Sequence, residues 1–225
     1  MLLWLTLTAV LIAVNWYVYI VAIQTDRIFQ ASLGYYINPL IFVIAGVFLF
    51  GEKLRGMQTA AVVLAAIGVL VLTFSGGEFP VISLFLGTSF TIYGVVRKRV
   101  VIGAMPGLFI ETLVLMPIAL IWLGWMFANG HSEFGYAGPG ITGLLLLAGP
   151  ITVVPLLMFA IAAKRLSLTT VGFMQFLAPT MQFATGVYYG EVLTLPRLIC
   201  FACIWIAVVL FSIDAVSKQG QSREL

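Results

Sequence analysis

Seven polar or ionisable side chains stand inside long apolar runs of this chain: Asn15, Tyr35, Tyr36, Asn38, Glu111, Gln175 and Gln182. Two prolines accompany them, Pro39 in "YYINPL" and Pro179 in "QFLAPT". A proline inside a helix removes one backbone donor and clashes with the carbonyl four residues earlier. The carbonyls of Tyr35 and Gln175 are thereby freed, and in lipid a freed carbonyl needs a partner or a water-filled cavity. Ser32, Tyr35, Tyr36 and Pro39 recur at i, i+3, i+4 and i+7, so they share one helix face. Gln175, Pro179 and Gln182 share the corresponding face of a second helix. Asn38 and Thr180 flank the two expected breaks, and Asn15 sits in the middle of the first apolar run. Amides and phenols gathered at two broken helices can hold a polar, neutral or zwitterionic solute. The plainer reading is that Asn and Gln join helices by hydrogen bonds of roughly 1 kcal/mol each.

Bond-breaking chemistry finds little support. Hydrolysis needs a nucleophile with its base, a metal, or paired carboxylates. The apolar runs hold no histidine, no G-x-S-x-G and one clear carboxylate, so no enzyme activity is expected. Cys200 and Cys203 form a C-x-x-C in an apolar stretch, and the one histidine, His131, lies in a loop. A zinc site takes about four ligands, so the cysteines read as small packing residues. No metal or other cofactor is expected. The chain lacks G-x-x-x-x-G-K-[ST], so ATP is not the direct energy source of any transport.

That one carboxylate, Glu111 in "GLFIETLVLMP", has two readings. A charge near the bilayer centre costs ~3 kcal/mol or more, so such residues are paired or functional. Glu111 stands about one and a half turns from the cytoplasmic boundary, at ~1.5 Å per residue. It can pair with Arg97, Lys98 or Arg99, or it can serve proton coupling or substrate gating.

The elements that position these groups follow from composition. Of 225 residues, 62% are hydrophobic and 8% charged, against roughly 25% charged in soluble domains. A bilayer span needs about 20 mostly apolar residues, and eight segments answer to that: 3–24, 28–50, 57–75, 80–96, 106–128, 141–163, 168–189 and 195–214. The sequence thus predicts an all-α polytopic membrane protein whose surroundings are the lipid bilayer. Basic clusters are too short and scattered for nucleic acid. Counted on alternate sides, Lys53, Arg55, Arg97, Lys98, Arg99, Lys164, Arg165, Lys218 and Arg223 fall on one side, with Arg27 and Arg197 on the other. By the positive-inside rule both termini are cytoplasmic.

An internal repeat orders the spans. At an offset of 140 residues Asn15 meets Pro155, Tyr19 meets Phe159, Ala22 meets Ala162, and Pro39 meets Pro179. One residue less sets Gly51-Glu52 against Gly190-Glu191, both read as helix ends. The second span runs inward and its counterpart outward, so the copies are inverted, as in many secondary transporters. Inversion requires an odd number of spans per repeat. Spans four to eight make five, and two helices are expected to precede Met1. Gly186-x-x-x-Gly190 allows close helix approach, within the bundle in the first place, with a homodimer as the alternative partner arrangement.

"NWYVYIVAI" (from Asn15), "ASLGYYINPL" (from Ala31), "GLFIETL" (from Gly107) and "LTTVGFMQFLAPTMQF" (from Leu168) resemble the RarD-like permeases. These form part of the EamA branch of the drug/metabolite transporter superfamily. The resemblance covers essentially the whole chain, with the motifs in order and spacing. It implies a multi-pass protein of the bacterial inner membrane that moves small organic metabolites or drugs. It also implies ten helices in two inverted EamA repeats. Residues 1–75 are then the last three helices of the first repeat, and 76–225 the complete second. Asn15, Asn38, Pro39, Glu111, Gln175, Pro179 and Gln182 sit in the matching motifs. The expected function is secondary transport by alternating access, driven by a proton or substrate gradient. The alternative is a truncated, non-transporting membrane subunit or remnant, since the first two helices would supply one wall of the cavity.

Overall fold

The computed structural model describes residues 1–77, 79–188 and 194–221. Among them are nine helices: α1 (Leu2–Gln24), α2 (Ile28–Phe50), α3 (Gly56–Ser75), α4 (Val81–Arg99), α5 (Ala104–Ala128), α6 (Pro139–Arg165), α7 (Leu168–Gln175), α8 (Leu177–Tyr188) and α9 (Leu195–Gln221). The chain is an all-α polytopic membrane protein. Six helices are long and apolar enough to cross a bilayer: α1, α2, α3, α5, α6 and the Leu195–Ala215 part of α9. Two of the eight expected spans differ from these. α4 ends in Arg97-Lys98-Arg99 and is the least apolar long helix, and the expected span 168–189 is divided into α7 and α8.

The two prolines of the expected breaks behave differently. α2 runs through Pro39 without interruption, so the predicted break there is not seen. One lost hydrogen bond does not end a helix whose flanks are held by packing, and α5 and α6 likewise run through Pro117, Pro150 and Pro155. The expected span that holds Pro179 is interrupted, but at Phe176 rather than at the proline. The Phe176 amide donates to the Phe173 carbonyl at 3.2 Å, a tightened last turn that closes α7. Pro179 then lies in the first turn of α8, where a missing N–H costs little.

The helices gather into two compact units. One comprises Met1–Ala13 and Tyr93–Arg165, the other Val14–Ile92 and Leu166–Leu225. In the first, Leu5, Val96 and Val100 form a small core with Ile102 and Ile110, and Tyr93 stacks on Phe159. The C-terminal ends of α4 and α6 cap each other: Lys98 Nζ donates to the Ala163 carbonyl, and Lys164 Nζ to those of Val100 and Ile102.

In the second unit, α3 lies against α9 through small residues in register. Ala61, Ala65 and Gly68 are buried on α3, and Cys200, Ile204 and Ala207 on α9. Lipid offers no hydrophobic drive between helices, so small residues that permit close approach supply the packing. A Cβ on Gly68 would stand 2.8 Å from Cys203 Cβ and 3.0 Å from the Cys200 carbonyl. Both cysteines are free. Phe173 of α7 stacks on Phe211 of α9 with ring centroids 3.9 Å apart. α2 ends at Gly51, whose φ of 64° is the left-handed conformation expected of a helix-terminating glycine. The matching pair Gly190-Glu191 lies outside the described residues, as do Gly190 of the Gly186 motif and Arg223 of the charge count; Lys218 falls within α9, but its side chain is not described.

Candidate functional site

Two groups of polar side chains emerge, one in each unit. In the Val14–Ile92 and Leu166–Leu225 unit the centre is Asn38, buried on α2 next to Pro39. Its Nδ2 donates to Oε1 of Gln175, the last residue of α7 before the interruption. Its Oδ1 accepts from Thr91 Oγ1 of α4 at 3.2 Å. The donors therefore run in one direction, from Thr91 to Asn38 to Gln175, and fix both amides. Gln175 is half-buried, and its Nε2 has only a 3.4 Å contact with the Val171 carbonyl. The chain thus leaves a donor amide at its accessible end.

Close backbone approach makes this pairing possible. A Cβ on Gly172 of α7 would come 2.7 Å from the Pro39 carbonyl oxygen and 3.1 Å from Phe42 Cβ. A Cβ on Gly87 of α4 would be 3.4 Å from the Asn38 backbone. The start of α7 is held as firmly. Ser167 accepts from the Thr170 amide as N-cap. Glu52, just beyond the end of α2, accepts from the Leu168 amide at 2.6 Å, the Thr169 amide at 2.9 Å and Thr169 Oγ1 at 2.7 Å. A carboxylate at a helix N-terminus meets both the unpaired amides and the positive end of the dipole.

The other expected residues of this unit are dispersed around that centre. Asn15 Nδ2 donates to Leu86 O and Ser89 Oγ of α4, each at 2.9 Å. Tyr35 meets Tyr19 edge to face, with centroids 5.7 Å apart. Tyr36 packs against the apolar core cluster. Pro179 is buried, whereas Gln182 is exposed on α8. A cavity of about 710 Å³ lies elsewhere in the same unit, lined by Arg27, Gln30, Ser75, Thr194 and Arg197 among others. It includes none of the expected site residues, though it does gather the two basic residues that the charge count assigns to the outer side.

The Met1–Ala13 and Tyr93–Arg165 unit holds the second group. Glu111 on α5 is buried, as are Thr8 of α1 and Tyr93 and Arg97 of α4. Glu111 Oε1 accepts from Thr8 Oγ1 at 2.7 Å, and Oε2 from the Tyr93 hydroxyl at 3.3 Å. Of the three cations within expected reach, Arg97 places its Nε 3.6 Å from Glu111 Oε1. Its Nη2 donates to the Ala104 carbonyl at 2.8 Å, while Nε and Nη1 have no hydrogen-bond partner among the described residues. A Cβ on Gly107 would overlap the Arg97 guanidinium, so glycine is required beside it.

Thr8, Ser89, Thr91 and Tyr93 were not apparent from sequence. Serine and threonine in apolar helices commonly bond the preceding turn, and nothing in spacing distinguishes those that also reach a neighbour. Glu52 carried a signal in the sequence, where Gly51-Glu52 matches Gly190-Glu191 at an offset of 139 residues.

Comparison with known proteins adds the following. The chain is 42% identical over 216 residues to Protein RarD of Salmonella typhi, covering 96% of this chain and 74% of that protein. It is 43% identical over 222 residues to an uncharacterized transporter of Vibrio cholerae, covering 98% of this chain and 74% of that one. No family model matches it. A crystal structure of a protein 18% identical in sequence superposes with a TM-score of 0.68, over 96% of this chain and 77% of the other. That likeness concerns the fold alone.

Proposed function

The chain belongs to the RarD-like permeases, and from that premise we propose that it is a secondary carrier moving small organic metabolites or drugs by alternating access. The Thr91–Asn38–Gln175 chain carries this reading, because it puts an oriented, half-buried donor amide where α7 is interrupted. Discontinuous helices at the interface of inverted repeats are where secondary transporters build their substrate sites. A half-buried amide donor suits a solute with carbonyl or carboxylate acceptors, which fits a polar neutral or zwitterionic molecule. The driving force is a proton or substrate gradient. The asymmetry of Lys and Arg supports cytoplasmic termini, and the family supports the bacterial inner membrane as its place.

The test is uptake of a panel of labelled small polar metabolites by proteoliposomes containing the protein. Asn38→Ala and Gln175→Ala should each reduce uptake of a transported solute about 5-fold or more, from ~1 kcal/mol per lost hydrogen bond. Unchanged kinetics in both variants would remove the amide pair from the site.

A further inference from the structure

We propose that Glu111 is the group that carries the coupling proton, and that Thr8 is the positioning residue allowing it to gain and lose that proton in place. This rests on reading the chain as a gradient-driven carrier. The geometry favours it over a permanent ion pair. A structural Arg–carboxylate pair is commonly bidentate, at ~2.7–2.9 Å. Here the single approach is 3.6 Å, and Arg97 Nε and Nη1 make no hydrogen bond to any described residue. The guanidinium is held instead by the Ala104 carbonyl and by its place in the last turn of α4, where the helix dipole favours a cation. Neither contact uses the Glu111 carboxylate.

Thr8 has one hydroxyl hydrogen and two acceptors for it, Glu111 Oε1 at 2.7 Å and the Leu5 carbonyl at 2.9 Å. With Glu111 ionised, Thr8 donates to the carboxylate. When a proton from water adds to Oε1, the new O–H donates to Thr8 Oγ1, and the Thr8 hydrogen turns to Leu5 O. Loss of the proton to water reverses each step. Both states are fully bonded at Thr8 with no change of rotamer in Glu111. A hydroxyl donates and accepts at one atom, so it can serve both.

The surrounding charges are consistent with this. α4 presents Tyr93 and Arg97 to the carboxyl. α6 brings Lys164, occupied with the carbonyls of Val100 and Ile102. Lys98 is bonded to Ala163 O, and Arg99 and Arg165 are exposed. α1 presents Thr8. Arg97 is thus the cation beside Glu111, and it does not hold it bidentately.

Infrared spectra of the protein in lipid nanodiscs, recorded across pH without substrate or gradient, test the proposal. A carboxylic-acid C=O band should grow reversibly on acidification and be missing in Glu111→Gln. Its midpoint should be displaced by roughly one pH unit in Thr8→Val and return in Thr8→Ser. If no Glu111 band appears at any pH where the protein stays folded, the carboxylate is a fixed counter-ion and the proposal fails. A Thr8→Val midpoint equal to that of the unmodified protein removes Thr8 from the mechanism, whatever becomes of Glu111→Gln. Because no transport is measured, failure here leaves the carrier reading standing. A titrating Glu111 in a protein that moves no solute would overturn the carrier reading instead.

Discussion

Glu52→Ala is expected to destabilise the folded protein by about 2–3 kcal/mol. The carboxylate accepts three hydrogen bonds from the first turn of α7, and bonds to charged groups contribute ~1.5–3 kcal/mol each. Glu52 is partly exposed, so the three do not add in full. Its loss leaves the Leu168 and Thr169 amides bare at the positive end of a helix of 8 residues, too short to persist without its tertiary contacts. Glu52→Gln keeps one acceptor oxygen and should lose about half as much. Thermal unfolding in detergent, compared across the three proteins, measures this. An unfolding midpoint for Glu52→Ala equal to that of the unmodified protein would mean the cap does not hold α7.

Gly172→Val should cost as much by another route, about 3 kcal/mol. The first added carbon would lie 2.7 Å from the Pro39 carbonyl oxygen. Backbone on both sides makes up this contact, so α2 and α7 must separate rather than a side chain turn aside. Overpacking of this kind costs ~1–3 kcal/mol, and a β-branched residue leaves little rotamer freedom for relief. Separation also pulls Gln175 from Asn38. Uptake should therefore fall further in Gly172→Val than in Gln175→Ala, even at temperatures where the protein remains folded. Unfolding and uptake both unchanged would contradict the close approach of the two helices.

These two residues also show where sequence reading stops. Apolar runs of about 20 residues announced the long helices because lipid demands that length of any span. Asn38 and Gln175 stood out as amides in apolar surroundings, and the structure brings them together. Pro39 and Pro179 looked equivalent by repeat symmetry, yet α2 continues and the other helix is interrupted at Phe176. A proline weakens a helix locally, and what decides the outcome is packing that the one-dimensional pattern does not contain. In the sequence Glu52 reads as punctuation at the end of α2, whereas its carboxylate caps α7, more than a hundred residues on. Arg97 was one of three adjacent candidates for Glu111. Register on α4 selects it, four residues beyond Tyr93 on the same helix face.

Alternating access at the interrupted helix can be tested by thiol labelling from each side of the membrane. Thr180→Cys places a reporter just past the break, half-buried and bonded to the Phe176 carbonyl. Cys200→Ala and Cys203→Ala, at small packing positions, remove the native thiols. In oriented vesicles a membrane-impermeant reagent should modify position 180 when applied to either face, and a transported solute should slow both reactions. Labelling from one face alone, with full reaction only after unfolding from the other, would contradict a carrier whose site opens by turns to the two sides.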